Sequence, residues 1–227
     1  MSHVRENLSV LAAAEKRTLI AIAGRLPHWV GSDHLSLLGL TSMLAAGLSF
    51  AAVQFTPWAA LAVVGCLAAN WFGDSLDGTV ARVRGQQRPR YGYYVDHVID
   101  LAGTTALLVG LAFSSAMHPL LALGVLVAYL LVSSETYLAT HSVGVFRMSF
   151  AGFGPTELRL VLAAGALKIA ETPFVDVQGL GSVRLFDVGG AVAIAGMVVA
   201  FVASAARNAR HLYAAEPLPV PVERSVA

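Results

Sequence analysis

The sequence predicts an all-α integral membrane protein: six transmembrane helices preceded by an N-terminal amphipathic interfacial helix. Three observations carry this. Hydrophobic residues make up 56% of the 227-residue chain and charged ones 13%, where a soluble domain carries about 25% charged. Mean hydropathy is +0.68. Apolar segments close to the length that crosses a bilayer, roughly 20 residues, recur six times along the chain.

The elements follow in order. Residues 3–25 set Leu8, Leu11, Leu19, Ile20 and Ile22 against Arg5, Lys16 and Arg17 at helical spacing, the pattern of a helix lying on a membrane surface. Pro27 and Gly31 break it, and Ser32-Asp33 suit the cap of the next helix. The apolar segments fall at 34–55, 57–82, 93–114, 118–140, 155–171 and 184–208, with polar connections at 83–92, 141–154 and 172–183. The Pro-rich end from Ala214 has the composition of a disordered tail. The expected organisation is therefore an interfacial segment at 1–33, a six-helix domain at 34–212 and a tail at 213–227.

Charge sets the orientation. With the N-terminus inside, one face collects Arg5, Lys16, Arg17, Arg25, Arg82, Arg84, Arg88, Arg90, Arg147, Arg207, Arg210 and Arg224, and the other only Lys168 and Arg184. The positive-inside rule then puts both termini in the cytoplasm. The scale fits a bacterial plasma membrane protein. A net charge of +1 gives no field for nucleic acid. Cys66 can form no intrachain disulfide, and the first 33 residues are too polar for a cleavable signal.

Chemistry concentrates in Gly73–Asp100, GDSLDGTVARVRGQQRPRYGYYVDHVID. Asp74 and Asp77 close one apolar segment, and Asp96 and Asp100 open the next. Residues three or four apart share a helix face, so each pair points one way, and the short connection predicts that all four meet near the cytoplasmic surface. Intramembrane carboxylates are costly. Grouped like charges disfavour one another unless a cation relieves them. All-oxygen donors suit Mg²⁺, Mn²⁺ or Ca²⁺ rather than zinc, and two such ions would suit a pyrophosphate. Gly78 and Ala81 leave the helix bare for a flat group, Arg82 can fork onto phosphate, and Gly92 precedes Asp96 by one turn. The carboxylates alone leave catalysis, a structural cation site and a divalent-cation transporter open.

The pattern D-x₂-D-G-x₂-A-R-x₉-G-x₃-D-x₃-D resembles the signature of the CDP-alcohol phosphotransferase (CDP-alcohol phosphatidyltransferase) family, integral membrane enzymes of phospholipid synthesis. All eight fixed positions are present, and the resemblance extends to the six-span layout and the N-terminal helix. It implies metal held by Asp74, Asp77, Asp96 and Asp100, with two Mg²⁺ or Mn²⁺ ions. It implies Asp100 as general base, Gly78 and Ala81 making room for cytidine, Arg82 near the donor phosphates, and Asp74 touching the nucleotide. The reaction implied is attack of an alcohol on the phosphorus of a CDP-linked donor, releasing CMP. The resemblance also implies a homodimer, for which segments three and four offer apolar surfaces that could equally face lipid.

The substrate stays open between two patterns: CDP-diacylglycerol with a small polar alcohol, or a CDP-aminoalcohol with diacylglycerol. His97, directly after Asp96, resembles the aminoalcohol enzymes and is an alternative base. Glu135 could orient it, or pair with Arg147. Gly152–Arg159 (GFGPTELR) resembles a segment of the same enzymes. Arg147 and Arg159 are candidates for acceptor binding or for interfacial anchoring. Leu101 stands where Arg is common in CDP-diacylglycerol users, and the Lys-rich segment of phosphatidylglycerophosphate synthases is absent.

Overall fold

The structure, a computed structural model, describes residues 4–6, 12–147, 155–179 and 181–218. Among these are α1 (Ala12–Ala23), α2 (Ser32–Ala52), α3 (Trp58–Val83), α4 (Pro89–Ala112), α5 (Pro119–Val143), α6 (Pro155–Glu171) and α7 (Leu185–Ala215). Four short strands complete them: β1 (Val4–Glu6), β2 (Val145–Arg147), β3 (Phe174–Val177) and β4 (Gly181–Arg184). Helices α2, α3, α4, α5 and α7 are long and apolar enough to cross a membrane. Helix α6 has 17 residues, about 25 Å at 1.5 Å per residue.

Local chemistry sets the ends. Proline opens α4 and α5 at the first helical positions, where its missing N–H costs nothing. Gly144 ends α5 with φ 80°, a left-handed turn that glycine enters without strain. The α2 cap differs from expectation. Gly31 takes the cap position, and its N–H donates to His34 Nδ1 at 3.1 Å, so Ser32 is already helical.

Four further boundaries differ. Residues 4–6 are not helical but pair in parallel with 145–147, because extended Val-containing segments satisfy their backbone groups by pairing. The polar connection at 172–183 is an antiparallel hairpin, Phe174 opposite Arg184. Helix α4 begins at Pro89, so Arg90 and Gly92 are helical rather than in the loop. Helix α7 runs through Ala215, past the expected start of the tail at 213. Residues 219–227 lie outside the described residues.

Helix α2 is the hub, and both α3 and α4 pack along it. Glycines make the crossings close. A Cβ on Gly73 would meet Leu35 O at 2.6 Å and Gly39 N at 2.7 Å. Gly47 and Gly110 face each other so closely that a Cβ on either would overlap the other helix's backbone. Small residues permit such approach where lipid gives no hydrophobic drive between helices. One core gathers Phe50, Leu67, Leu107, Leu111 and Met117. A second gathers Leu19 and Ala23 of α1 with Leu35, Leu76 and Val80, so α1 buries an apolar face on α2 and α3 while Lys16 and Arg17 stay exposed. By contrast, only 6% of the most apolar window of α7 is buried inside the protein, and its Val192, Val198, Val199 and Val202 face outward. That surface requires an apolar environment.

Candidate active site

Because α3 and α4 both pack on α2, a gap remains between their facing sides, and the aspartates fill it. Asp74 on α3 and Asp96 and Asp100 on α4 each bring a carboxylate oxygen within 4.8 Å of the others. The fourth, Asp77, stands one turn beyond Asp74. It accepts from Ser36 Oγ of α2 at 2.7 Å and from the Gly78 N–H. Asp74, Asp77 and Asp96 line one small cavity with Ser36, Gly39, Asn70 and Ile99. The converging donors are all oxygens, and three carboxylates this close suit a hard divalent cation such as Mg²⁺ or Mn²⁺.

Arg159, at the start of α6, reaches into the same site. Its guanidinium donates to Asp74 Oδ2 and, through Nε, to Asn70 Oδ1 at 2.7 Å. Asn70 is buried and donates its own amide to Gly39 O at 3.0 Å. The planar guanidinium thus spans two acceptors one helical turn apart on α3, a geometry an ammonium cannot copy.

The other motif residues lie at the C-terminal end of α3 and in the first turn of α4. Arg82 donates to Thr79 Oγ1 at 2.9 Å. It lies beside Gly78, where a Cβ would meet Arg82 Nη1 at 3.3 Å, so the bare glycine accommodates the guanidinium. Ala81 is half-buried and Gly92 has open space around its Cβ position. Between α3 and α4, Arg88 donates to Asp33 at 2.5 Å and stacks over Tyr91. The Asp33 bond holds the Arg88 guanidinium above its ordinary pKa.

His97 packs against aromatics. It stacks on Tyr93 at 4.0 Å between ring centres and meets Tyr137 of α5 edge-on at 4.9 Å. Its Nδ1 is 2.7 Å from Tyr93 O and 3.6 Å from Asp96 Oδ2. A carbonyl only accepts, so Nδ1 carries the proton and Nε2 is the basic nitrogen of the neutral ring. Glu135 accepts from Asn208 of α7 at 2.7 Å, a partner the sequence reading did not consider. Arg147 lies on β2, with its side chain outside the described residues, as are Gly152, Phe153 and Gly154.

Three site residues escaped the sequence reading. Asn70 had a signal: an amide inside an apolar span, one turn before Asp74. Ser36 had only its helical phase. Glu15 had none. Its Oε1 accepts from Trp71 Nε1 at 2.7 Å, Ser75 Oγ at 3.3 Å and Thr156 Oγ1 at 2.8 Å, contacts that join α1, α3 and α6.

Comparison with known proteins bears on this arrangement. Residues 33–208 match the CDP-alcohol phosphatidyltransferase family. Among solved structures, the chain is similar to Mycobacterium tuberculosis phosphatidylinositol phosphate synthase (PgsA1) with CDP-DAG bound. The identity is 21% and the TM-score 0.58, over 90% of this chain and 100% of that one. The apo form of the same synthase gives 21% identity and a TM-score of 0.52, over 87% and 94%. No curated protein matches the chain.

Proposed function

The chain belongs to the CDP-alcohol phosphatidyltransferase family, and on that premise we propose that it moves a phosphatidyl group from CDP-diacylglycerol to a small polar alcohol, with release of CMP. It is an integral membrane enzyme of phospholipid synthesis, a transferase of substituted phosphate groups. The observation that carries the proposal is the convergence of Asp74, Asp96 and Asp100 within 4.8 Å, in a gap reached by Arg159. The CDP-DAG carried by the mycobacterial synthase, which this chain covers over its whole length, supports a lipid-linked donor.

Asp74, Asp77, Asp96 and Asp100 would hold two Mg²⁺ or Mn²⁺ ions. When bound, such ions neutralise a pyrophosphate and stabilise the departing phosphate. The residues supply the rest. Gly78 and Ala81 leave room for cytidine beside Arg82, whose guanidinium forks onto donor phosphate. The acceptor hydroxyl oxygen forms the new bond to the phosphatidyl phosphorus while the anhydride bond breaks, and CMP leaves with the electron pair. The hydroxyl proton passes to the Asp100 carboxylate, or to Nε2 of His97 in the alternative assignment. Arg159 holds Asp74 and Asn70 in register.

A second reading, a CDP-aminoalcohol donor with diacylglycerol as acceptor, draws support from His97 directly after Asp96 and from the Pro155-Thr156-Glu157 start of α6. Six crossings, α6 included, would place both termini and the aspartates at the cytoplasmic face of a bacterial plasma membrane, with α1 in its interface. A homodimer would cover part of the exposed apolar surface.

The test is purified protein in nanodiscs with Mn²⁺ or Mg²⁺, offered each donor class with mixed acceptors. CMP and a phosphatidyl-alcohol from CDP-diacylglycerol support the main reading, and product from a CDP-aminoalcohol supports the second. No CMP from either donor, with divalent-cation flux in proteoliposomes, would mean a transporter.

A further inference from the structure

Helices α3 and α6 are joined by two rungs. The direct one is Arg159 to Asn70 and Asp74. The other runs through α1: Thr156 of α6 donates to Glu15, and Trp71 and Ser75 of α3 donate to the same oxygen. The register is consistent on both helices. Trp71 and Ser75 each directly follow Asn70 and Asp74, so neighbouring stripes of α3 serve the two rungs. On α6, Thr156 and Arg159 are three apart and share a face. The far end of α1 is fixed as well. Arg84, just past α3, donates to Leu26, Pro27, His28 and Val30 carbonyls at 2.7–3.3 Å. Leu19 and Ala23 are buried between these two ties.

We propose that Glu15 is a positioning residue for the transferase site: it holds α6 against α3 so that Arg159 stays seated on Asp74 and Asn70. The proposal rests on the reading of Asp74 as part of that site. A carboxylate suits the task because bonds to a charged acceptor are about twice as strong as neutral ones, and three donors converge on one oxygen. Thr156 donates to Glu15 from the same turn of α6 that carries Arg159.

The test is a double-mutant cycle on kcat/KM for CMP release. Glu15→Ala is expected to lower kcat/KM by about tenfold in the otherwise native protein, the scale of losing hydrogen bonds to a charged group. In an Arg159→Ala background the same change should cost less than about twofold, since Glu15 then has nothing to position. Thr156→Val, which leaves the α1–α3 bonds intact, should reproduce the loss and its dependence on Arg159. It keeps the test open if Glu15→Ala fails to fold. Glu15→Gln, which retains an acceptor oxygen, should recover part of the activity. Equal losses with and without Arg159 would overturn the proposal.

A readout independent of turnover separates this proposal from the functional one. Spin labels at exposed Leu61 of α3 and Leu160 of α6, in a Cys66→Ala background, report the α3–α6 distance. The distribution should broaden in Glu15→Ala and Thr156→Val and stay narrow in the control Glu171→Gln. If native protein releases no CMP but the distribution broadens, the reaction assignment fails and the positioning stands. An unchanged distribution overturns the positioning itself.

Discussion

Arg159 is seated on Asp74: a guanidinium from α6 binds the first aspartate of a motif carried on α3, 85 residues earlier in the chain. The same guanidinium bonds Asn70 one turn away. This pairing gives α6 a place in the site that its sequence position does not suggest. It also gives a residue expected to bind acceptor or anchor at the interface a partner in the carboxylate cluster.

Replacing Arg159 should therefore damage catalysis more than folding. Arg159→Ala is expected to lower kcat/KM by about ten- to a hundredfold, the cost of leaving a charge-assisted pair broken. Arg159→Lys should recover little, because one ammonium cannot bond Asp74 and Asn70 in the same fork. Steady-state kinetics of CMP release checks both. Near-native rates for the lysine variant would show that charge alone suffices.

Asn70 should matter to stability. It is buried and bonds Gly39 O with its amide nitrogen and Arg159 with its oxygen. Asn70→Leu strands both partners and is expected to cost about 1–3 kcal/mol, seen as a Tm several degrees lower in detergent. Asn70→Asp should be tolerated no better, since its carboxylate cannot donate to Gly39 O.

The helix crossings predict a contrast between two glycines of one helix. Gly73→Ala places a methyl 2.6 Å from Leu35 O, and overpacking of this kind costs about 1–3 kcal/mol. Gly65→Ala meets nothing within 4 Å and should leave Tm unchanged or raise it slightly, because alanine is the better helix former by about 1 kcal/mol. Thermal unfolding of the two variants side by side checks this. Equal losses would contradict the close α2–α3 crossing.

Metal dependence separates the carboxylates. Chelation of divalent ions should abolish CMP release, and Mn²⁺ or Mg²⁺ should restore it. Asp96→Asn, removing one of three converging oxygens, should raise the metal concentration for half-maximal rate by about tenfold or more. Ser36→Ala, which removes one bond to Asp77, should raise it by a few-fold at most.

Much of this was legible in the sequence, for a physical reason. Long apolar runs and helical spacing are local signals, so the helices, the facing aspartate pairs and the family motif could be read from residues close together. Their ends could not, where strand pairing and a proline start decided them: β1 against the distant β2, the hairpin at 174–184, and Pro89 opening α4 a turn early. Contacts between distant segments were equally silent. Nothing near Glu15 announces Trp71 and Thr156, and nothing near Glu135 announces Asn208. Arg159 was singled out, but its partner follows only from the way α6 leans on α3.

The central claim is that the α3–α4 carboxylates perform phosphatidyl transfer, with Asp100 taking the acceptor proton. The most direct measurement is CMP release by native, Asp100→Asn and His97→Ala proteins at saturating Mn²⁺ and CDP-diacylglycerol, with donor binding measured alongside. The account predicts that Asp100→Asn binds donor but loses turnover by at least about a hundredfold, the scale of a general base, while His97→Ala keeps most of its activity. Full turnover in Asp100→Asn would contradict it, and loss in His97→Ala instead would move the proton to Nε2 of His97.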